Sequence, residues 1–132
     1  MRLPVTRTPI QVRYSDTDAL GHISNEAYVS YFAIGRLDFF HAVERLTGIL
    51  LPSVVARLEI DYLAECFYGD ALEVITRCTR VGTKSLTTAY DLRANGRTVA
   101  RGQVVSVAFD PATRRPAPLP SGWEPSDPDA AP

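Results

Sequence analysis

Two aspartates stand two residues apart in the polar run Ser15-Asp16-Thr17-Asp18-Ala19-Leu20-Gly21-His22. A carboxylate there has two chemical uses. It can take a proton from water as a general base, or attack an electrophilic carbon itself. An aspartate is an anion at neutral pH unless strongly buried. Aspartate also serves simply as a turn or cap residue, and that is the role expected of Asp16. The residues just after the run add a second resource. A helical period begins at Ser24 or Asn25, and a helix start carries backbone N–H groups without intrahelical partners. Backed by the helix dipole, such groups polarise a carbonyl and hold a developing oxyanion. A carboxylate ahead of a helix start therefore suits attack on a carbonyl carbon.

Other chemistries find no support. The two histidines, His22 and His41, have no metal-ligand spacing, and neither do Cys66 and Cys78. Gly21 stands alone, with no glycine-rich phosphate loop around it, and there is no G-x-S-x-G nucleophile elbow. The expectation is no metal and no resident cofactor.

The elements that must position these groups are readable from periodicity. Ile10, Val12 and Tyr14 alternate with Gln11 and Arg13, which predicts a short strand over 10–14. Tyr28, Tyr31, Phe32, Gly35, Phe39, Val43 and Leu46 recur at helical steps, with Ser24 or Asn25 as N-cap and Gly48 as the stop. Gly35 within this helix either lets the backbone approach a neighbour or is merely tolerated. After Pro52 the period becomes two. Ala56, Leu58, Ile60 and Tyr62 share one face, with Arg57, Glu59 and Asp61 opposite. Further faces are Leu72–Cys78 and Leu86–Leu92, and residues 98–109 are apolar on both sides, as in a central strand. Asn95-Gly96 is a strong hairpin signal. Strand, long helix and four strands of about ten residues, each close to the helix in length, predict an α+β fold: an antiparallel sheet wrapped around one central helix.

The chain has 132 residues, 45% of them hydrophobic, and a net charge of -1. That suits one domain and gives no basic excess for nucleic acid. No apolar run is long enough to span a bilayer, and the first residues do not read as a signal peptide. Two cysteines without a framework suggest free thiols in a reducing, cytoplasmic setting. Seven of the ten prolines follow Asp110. Trp123 is a plausible anchor there, so the domain is expected over 1–124, with 125–132 as a disordered Pro-rich tail.

The stretch VRYSDTDALGHISNEAYVSYF (12–32), with D-x-D-x-x-G-H, N-x-x-Y and a long aromatic helix, resembles the 4-hydroxybenzoyl-CoA thioesterase family of hotdog proteins. RLEIDYLAECFYGD (57–70) and RVGTKSLTTAYDL (80–92) fit the same pattern, so the likeness covers roughly residues 8–120. It implies an acyl-CoA thioesterase in which CoA is part of the substrate. Asp18 matches the catalytic carboxylate, Asn25 the helix residue whose backbone N–H binds the thioester oxygen, and Gly21 the loop glycine kept close to substrate. His22 matches relatives with histidine at this point, as a helper to the carbonyl or an orienting group. Lys84 and Ser85 match a segment that contacts the CoA nucleotide or shapes the site, and Tyr28 is a candidate wall of the acyl pocket. The likeness also implies a homodimer or homotetramer with active sites at subunit interfaces. An acyl-carrier-protein thioesterase, a non-catalytic acyl-CoA-binding module and an assembly protein are the alternatives.

Overall fold

The computed structural model describes residues 1–132. A long helix, α1 (Asn25–Thr47), lies on one face of an antiparallel sheet. In chain order the strands are β1 (Val5–Ile10), β2 (Ser53–Tyr62), β3 (Leu72–Val81), β4 (Ser85–Ala94), β5 (Arg97–Asp110) and β6 (Arg115–Pro116). They lie side by side as β1-β3-β4-β5-β2, with short β6 pairing β5. This is the hotdog arrangement.

Ser24 precedes α1 in extended conformation and Gly48 ends it at φ 79°, a left-handed value that suits glycine. The buried stripe is Ala27, Tyr28, Tyr31, Phe32, Gly35, Phe39, Phe40 and Val43. It stops there, and Leu46 is half exposed. The first half of the stripe meets Val74, Tyr90, Leu92, Ala100 and Val104, while the second meets Cys78, Leu86, Ala108 and Trp123. Gly35 settles as a close approach: a Cβ there would come within 2.6 Å of Val74 Cγ1 and 2.9 Å of Thr76 Oγ1.

The β4–β5 turn has Asn95 at φ 53° and Gly96 at φ 85°, as a two-residue hairpin with two positive φ values requires. Along β5, Ala100, Val104, Ser106 and Ala108 are buried toward the helix, and Val105 and Val107 are partly covered on the other face.

Two expectations change. The first strand spans 5–10 rather than 10–14, and Tyr14 opens a 3-10 turn instead, 81% exposed. Its inward residues include Thr8, whose hydroxyl bonds to Asp38, so hydrophobic alternation could not reveal it. β2 is largely exposed on both faces because α1 lies chiefly over β1, β3 and β4. In the segment from Pro125, Ser126 is buried against β3. Its N–H donates to the Cys78 carbonyl at 2.9 Å, and its Oγ accepts from the Cys78 N–H and donates to the Pro4 carbonyl. Arg77 donates to the carbonyls of Asp127 and Pro128. These bonds continue the sheet edge ahead of the first residue of β1.

Candidate active site

The two aspartates divide as their surroundings dictate. Asp16 is 4% exposed. It accepts the Arg13 backbone N–H at 3.0 Å, the Arg13 guanidinium at 2.9 Å and the Tyr31 hydroxyl at 2.8 Å. Burial alone would push its carboxyl up, but these donors outweigh that and hold it below the usual range. Its carbonyl also accepts the Ser24 N–H, which ties the loop to the start of α1. Asp16 is thus a structural post.

Asp18 faces a cleft. Its Oδ1 accepts backbone N–H groups from Leu20 at 2.9 Å and His22 at 3.1 Å, and its carbonyl accepts from Gly21. Gly21 makes that tight turn at φ 80°. Oδ2 takes no hydrogen bond and has His22 Nδ1 at 4.0 Å as its nearest charged neighbour. One oxygen is anchored and the other presented. The open cleft holds about 510 Å³ and is lined by Asp18, His22, Ile23, Asn25 and Tyr28 on one side and residues 62–66 on the other.

Asn25 is the first residue of α1, and no side chain caps this helix. The Ala27 N–H turns back to the Ser24 carbonyl, and the Asn25 N–H, at the cleft, keeps no intrahelical partner. His22 Nε2 lies 3.6 Å from Glu65 Oε1, and its ring meets Phe67 edge-on. Tyr28 bonds through its hydroxyl to Cys66 Sγ at 3.1 Å. Burial, then that bond, pushes the Tyr28 phenol up, and burial also pushes up the Cys66 thiol. Both stay neutral near pH 7, so Cys66 lacks the thiolate a nucleophile needs. Tyr31 and Phe32 point elsewhere, the first to Asp16 and the second stacked on Tyr90 at 5.0 Å.

Asp18, His22, Asn25 and Tyr28 thus converge on the cleft, Gly21 shapes the loop beside it without lining it, and Lys84 and Ser85 lie elsewhere. Lys84 ends the β3–β4 turn and Ser85 opens β4, pairing with Val107, while Tyr62 at the cleft pairs with Ala100. Most of a strand length separates them within one chain. Glu59 is not at the cleft either, because it meets Arg57 and Gln103 on the sheet's outer face. Tyr62, Glu65 and Cys66 were not singled out from sequence. They arrive from the end of β2 and the loop after it, some forty positions away, and their only signal was the match of the whole 57–70 segment. No group of three or more His, Cys, Asp or Glu side chains comes together to hold a metal ion. No helix is long and apolar enough to cross a membrane.

Comparison with known proteins identifies the family. A 1,4-dihydroxy-2-naphthoyl-CoA hydrolase of Synechococcus elongatus is 31% identical over 117 residues, covering 83% of this chain and 85% of that protein. The acyl-CoA thioester hydrolase YbgC of Escherichia coli O6:H1 is 27% identical over 125 residues, covering 91% and 93%. A Thermus thermophilus thioesterase, crystallised with coenzyme A and Zn, superposes with a TM-score of 0.77 at 35% identity, over 90% of this chain and 93% of that one. The family description "Thioesterase-like superfamily" matches residues 12–125. The chain therefore belongs to the thioesterase-like superfamily, as a hotdog enzyme of the thioester hydrolase class.

Proposed function

We propose that this cleft hydrolyses an acyl-CoA thioester to a carboxylic acid and CoA, with Asp18 as the catalytic carboxylate. The observation that carries this reading is the Asp18 carboxylate, one oxygen anchored and one free, at the same cleft as an uncapped helix start. The substrate class rests on the names of relatives that act on CoA thioesters.

In the general-base route, Oδ2 takes a proton from water as the water oxygen adds to the thioester carbon. The carbonyl oxygen becomes an oxyanion and is held by first-turn N–H groups, that of Asn25 foremost. Collapse breaks the C–S bond, and the thiolate leaves with the proton Asp18 took. In the nucleophilic route, Oδ2 adds to the carbon, the C–S bond breaks and the thiolate leaves, giving a mixed anhydride; water then opens it to the acid and the Asp18 carboxylate, and its released proton goes to the thiolate. His22 lies beside the carboxylate and orients it or the carbonyl. Ile23, Tyr28, Leu63 and Cys66 offer the acyl group a mainly apolar wall.

A homodimer completes the site in this reading. β2 is an edge strand ten residues long, with Val54, Val55 and Leu58 exposed, and such an edge invites strand pairing. It is self-complementary in charge: a two-fold axis through Leu58 sets Arg57 of each copy opposite Glu59 of the other. Antiparallel pairing there brings the Lys84–Ser85 end of a second copy toward this chain's cleft.

The test is thiol release from short, medium, long and aromatic acyl-CoAs by wild type and Asp18→Asn. Turnover should fall at least about 100-fold in the variant. Equal turnover in both would make Asp18 a turn residue. Tight acyl-CoA binding with no turnover by wild type would favour the binding module instead.

A further inference from the structure

We propose that Tyr62 is a positioning residue for the oxyanion donors of α1, an inference that rests on the thioesterase reading of the cleft. Tyr62 is the last residue of β2, and its hydroxyl donates to the Asn25 backbone carbonyl at 2.9 Å. This hydroxyl links the sheet edge to the first residue of the helix. Its ring lies against Tyr28 at 5.0 Å, and Tyr28 is itself held by Cys66. The tyrosine thus reaches the helix start along a braced path.

The helix start needs such a brace. Its N-cap Ser24 makes no side-chain bond to the first turn. Helix ends fray when their groups are unpaired. Oxyanion stabilisation depends on donors fixed before the charge develops. The upstream loop is secured from one side, through Ser24 N–H to the Asp16 carbonyl and Ile23 N–H to the Cys66 carbonyl. Tyr62 secures the next peptide from the other.

The choice of acceptor matters chemically. The Asn25 carbonyl belongs to the peptide whose N–H is that of Glu26. A hydrogen bond to the carbonyl draws electron density from that amide and makes its N–H a stronger donor. The N–H so strengthened is that of Glu26; the Asn25 N–H lies on the preceding peptide, and Tyr62 acts on it by fixing the residue that the two peptides share. A group acting in this way contributes to the transition state more than to the bound thioester.

Tyr62→Phe removes the hydroxyl and keeps the ring against Tyr28. Its kcat should fall roughly tenfold while KM stays within about twofold, the signature of a lost transition-state interaction. A second readout needs no turnover. In the Asp18→Asn background, the infrared carbonyl stretch of a bound, isotope-labelled thioester should move toward its free-solution value when Tyr62→Phe is added. Unchanged kcat and an unchanged stretch would reduce Tyr62 to a rim residue. A rise in KM alone would make it a substrate contact and overturn the positioning role. If Asp18→Asn abolishes turnover but Tyr62→Phe does nothing, this inference fails and the thioesterase reading stands. If Asp18→Asn hydrolyses as wild type does, both fall.

Discussion

Asp16 and Asp18 share a loop, but their oxygens meet different partners, and that difference separates stability from chemistry. Asp16 is met by Arg13 and Tyr31, so Asp16→Asn should lose about 1.5–3 kcal/mol, the range for hydrogen bonds to a charged group. Its folded pKa is lowered, so its contribution is present above the unfolded value near 3.9 and is lost as pH falls through the folded value. The gap between wild-type and Asp16→Asn melting temperatures should therefore be full at pH 6 and shrink below about pH 4. A gap that is constant across that range would mean the charge plays no part. For Asp18, a single turnover with enzyme in excess in heavy-oxygen water tests the nucleophilic route. Label in Asp18 itself requires a mixed anhydride opened at the aspartyl carbon, whereas label in the product acid alone means that water reached the acyl carbon, of the thioester or of the anhydride. Asp18, Gly21, His22 and Asn25 were legible beforehand because one local pattern carries them all. Tyr62, Glu65 and Cys66 were not, since a two-residue period says which side of a strand a residue takes but not which loop it will face.

At the scale of elements, the seat of α1 depends on what Gly35 lacks. Gly35→Ala gains up to about 1 kcal/mol of helix propensity but drives a methyl into Val74, which is fully buried. Overpacking of that kind costs about 1–3 kcal/mol, so the expected net is a loss in chemical denaturation. A stabilised variant would show that the helix can lift from β3 freely. The tail makes a second case. Trp123 is 8% exposed in the outer half of the core, so Trp123→Ala should cost about 3–5 kcal/mol. An unchanged melting curve would mean that the strap is not fastened. Helix limits and the last three long strands could be read from sequence, because each carries its own period and stop signals. Two elements could not. β1 turns Thr8 inward rather than an apolar residue, and the proline-rich tail is held by single contacts of Trp123, Ser126 and Arg77 that composition averages away.

At the scale of the whole molecule, one chain holds a cleft at the Tyr62 end of β2 and its Lys84–Ser85 turn toward the Ser53 end. In the dimer proposed through the β2 edges, one copy is reversed against the other, so each cleft would gain the other copy's turn. The charge pattern would set the register. A cross-strand pair of opposite charges is worth roughly 0.2–1 kcal/mol, and the two-fold axis supplies the pair twice. Arg57→Glu turns both attractions into repulsions and should weaken the dimer by about tenfold or more, since 1.4 kcal/mol corresponds to a factor of ten. Adding Glu59→Arg restores the complement and should restore the dimer, which sedimentation reads directly. Activity gives the sharper result. Homodimers of Asp18→Asn lack the carboxylate in both clefts, and homodimers of Lys84→Ala lack the neighbour's lysine in both. After subunit exchange, a mixed dimer has one cleft with neither group and one with both. Mixing the two weak enzymes should therefore produce thiol release above the sum of the parts, approaching one quarter of wild type for an equal mixture. Strict additivity, or a wild-type chain that sediments as a monomer, would mean that the cleft is completed by its own chain alone and that Lys84 has no part in it.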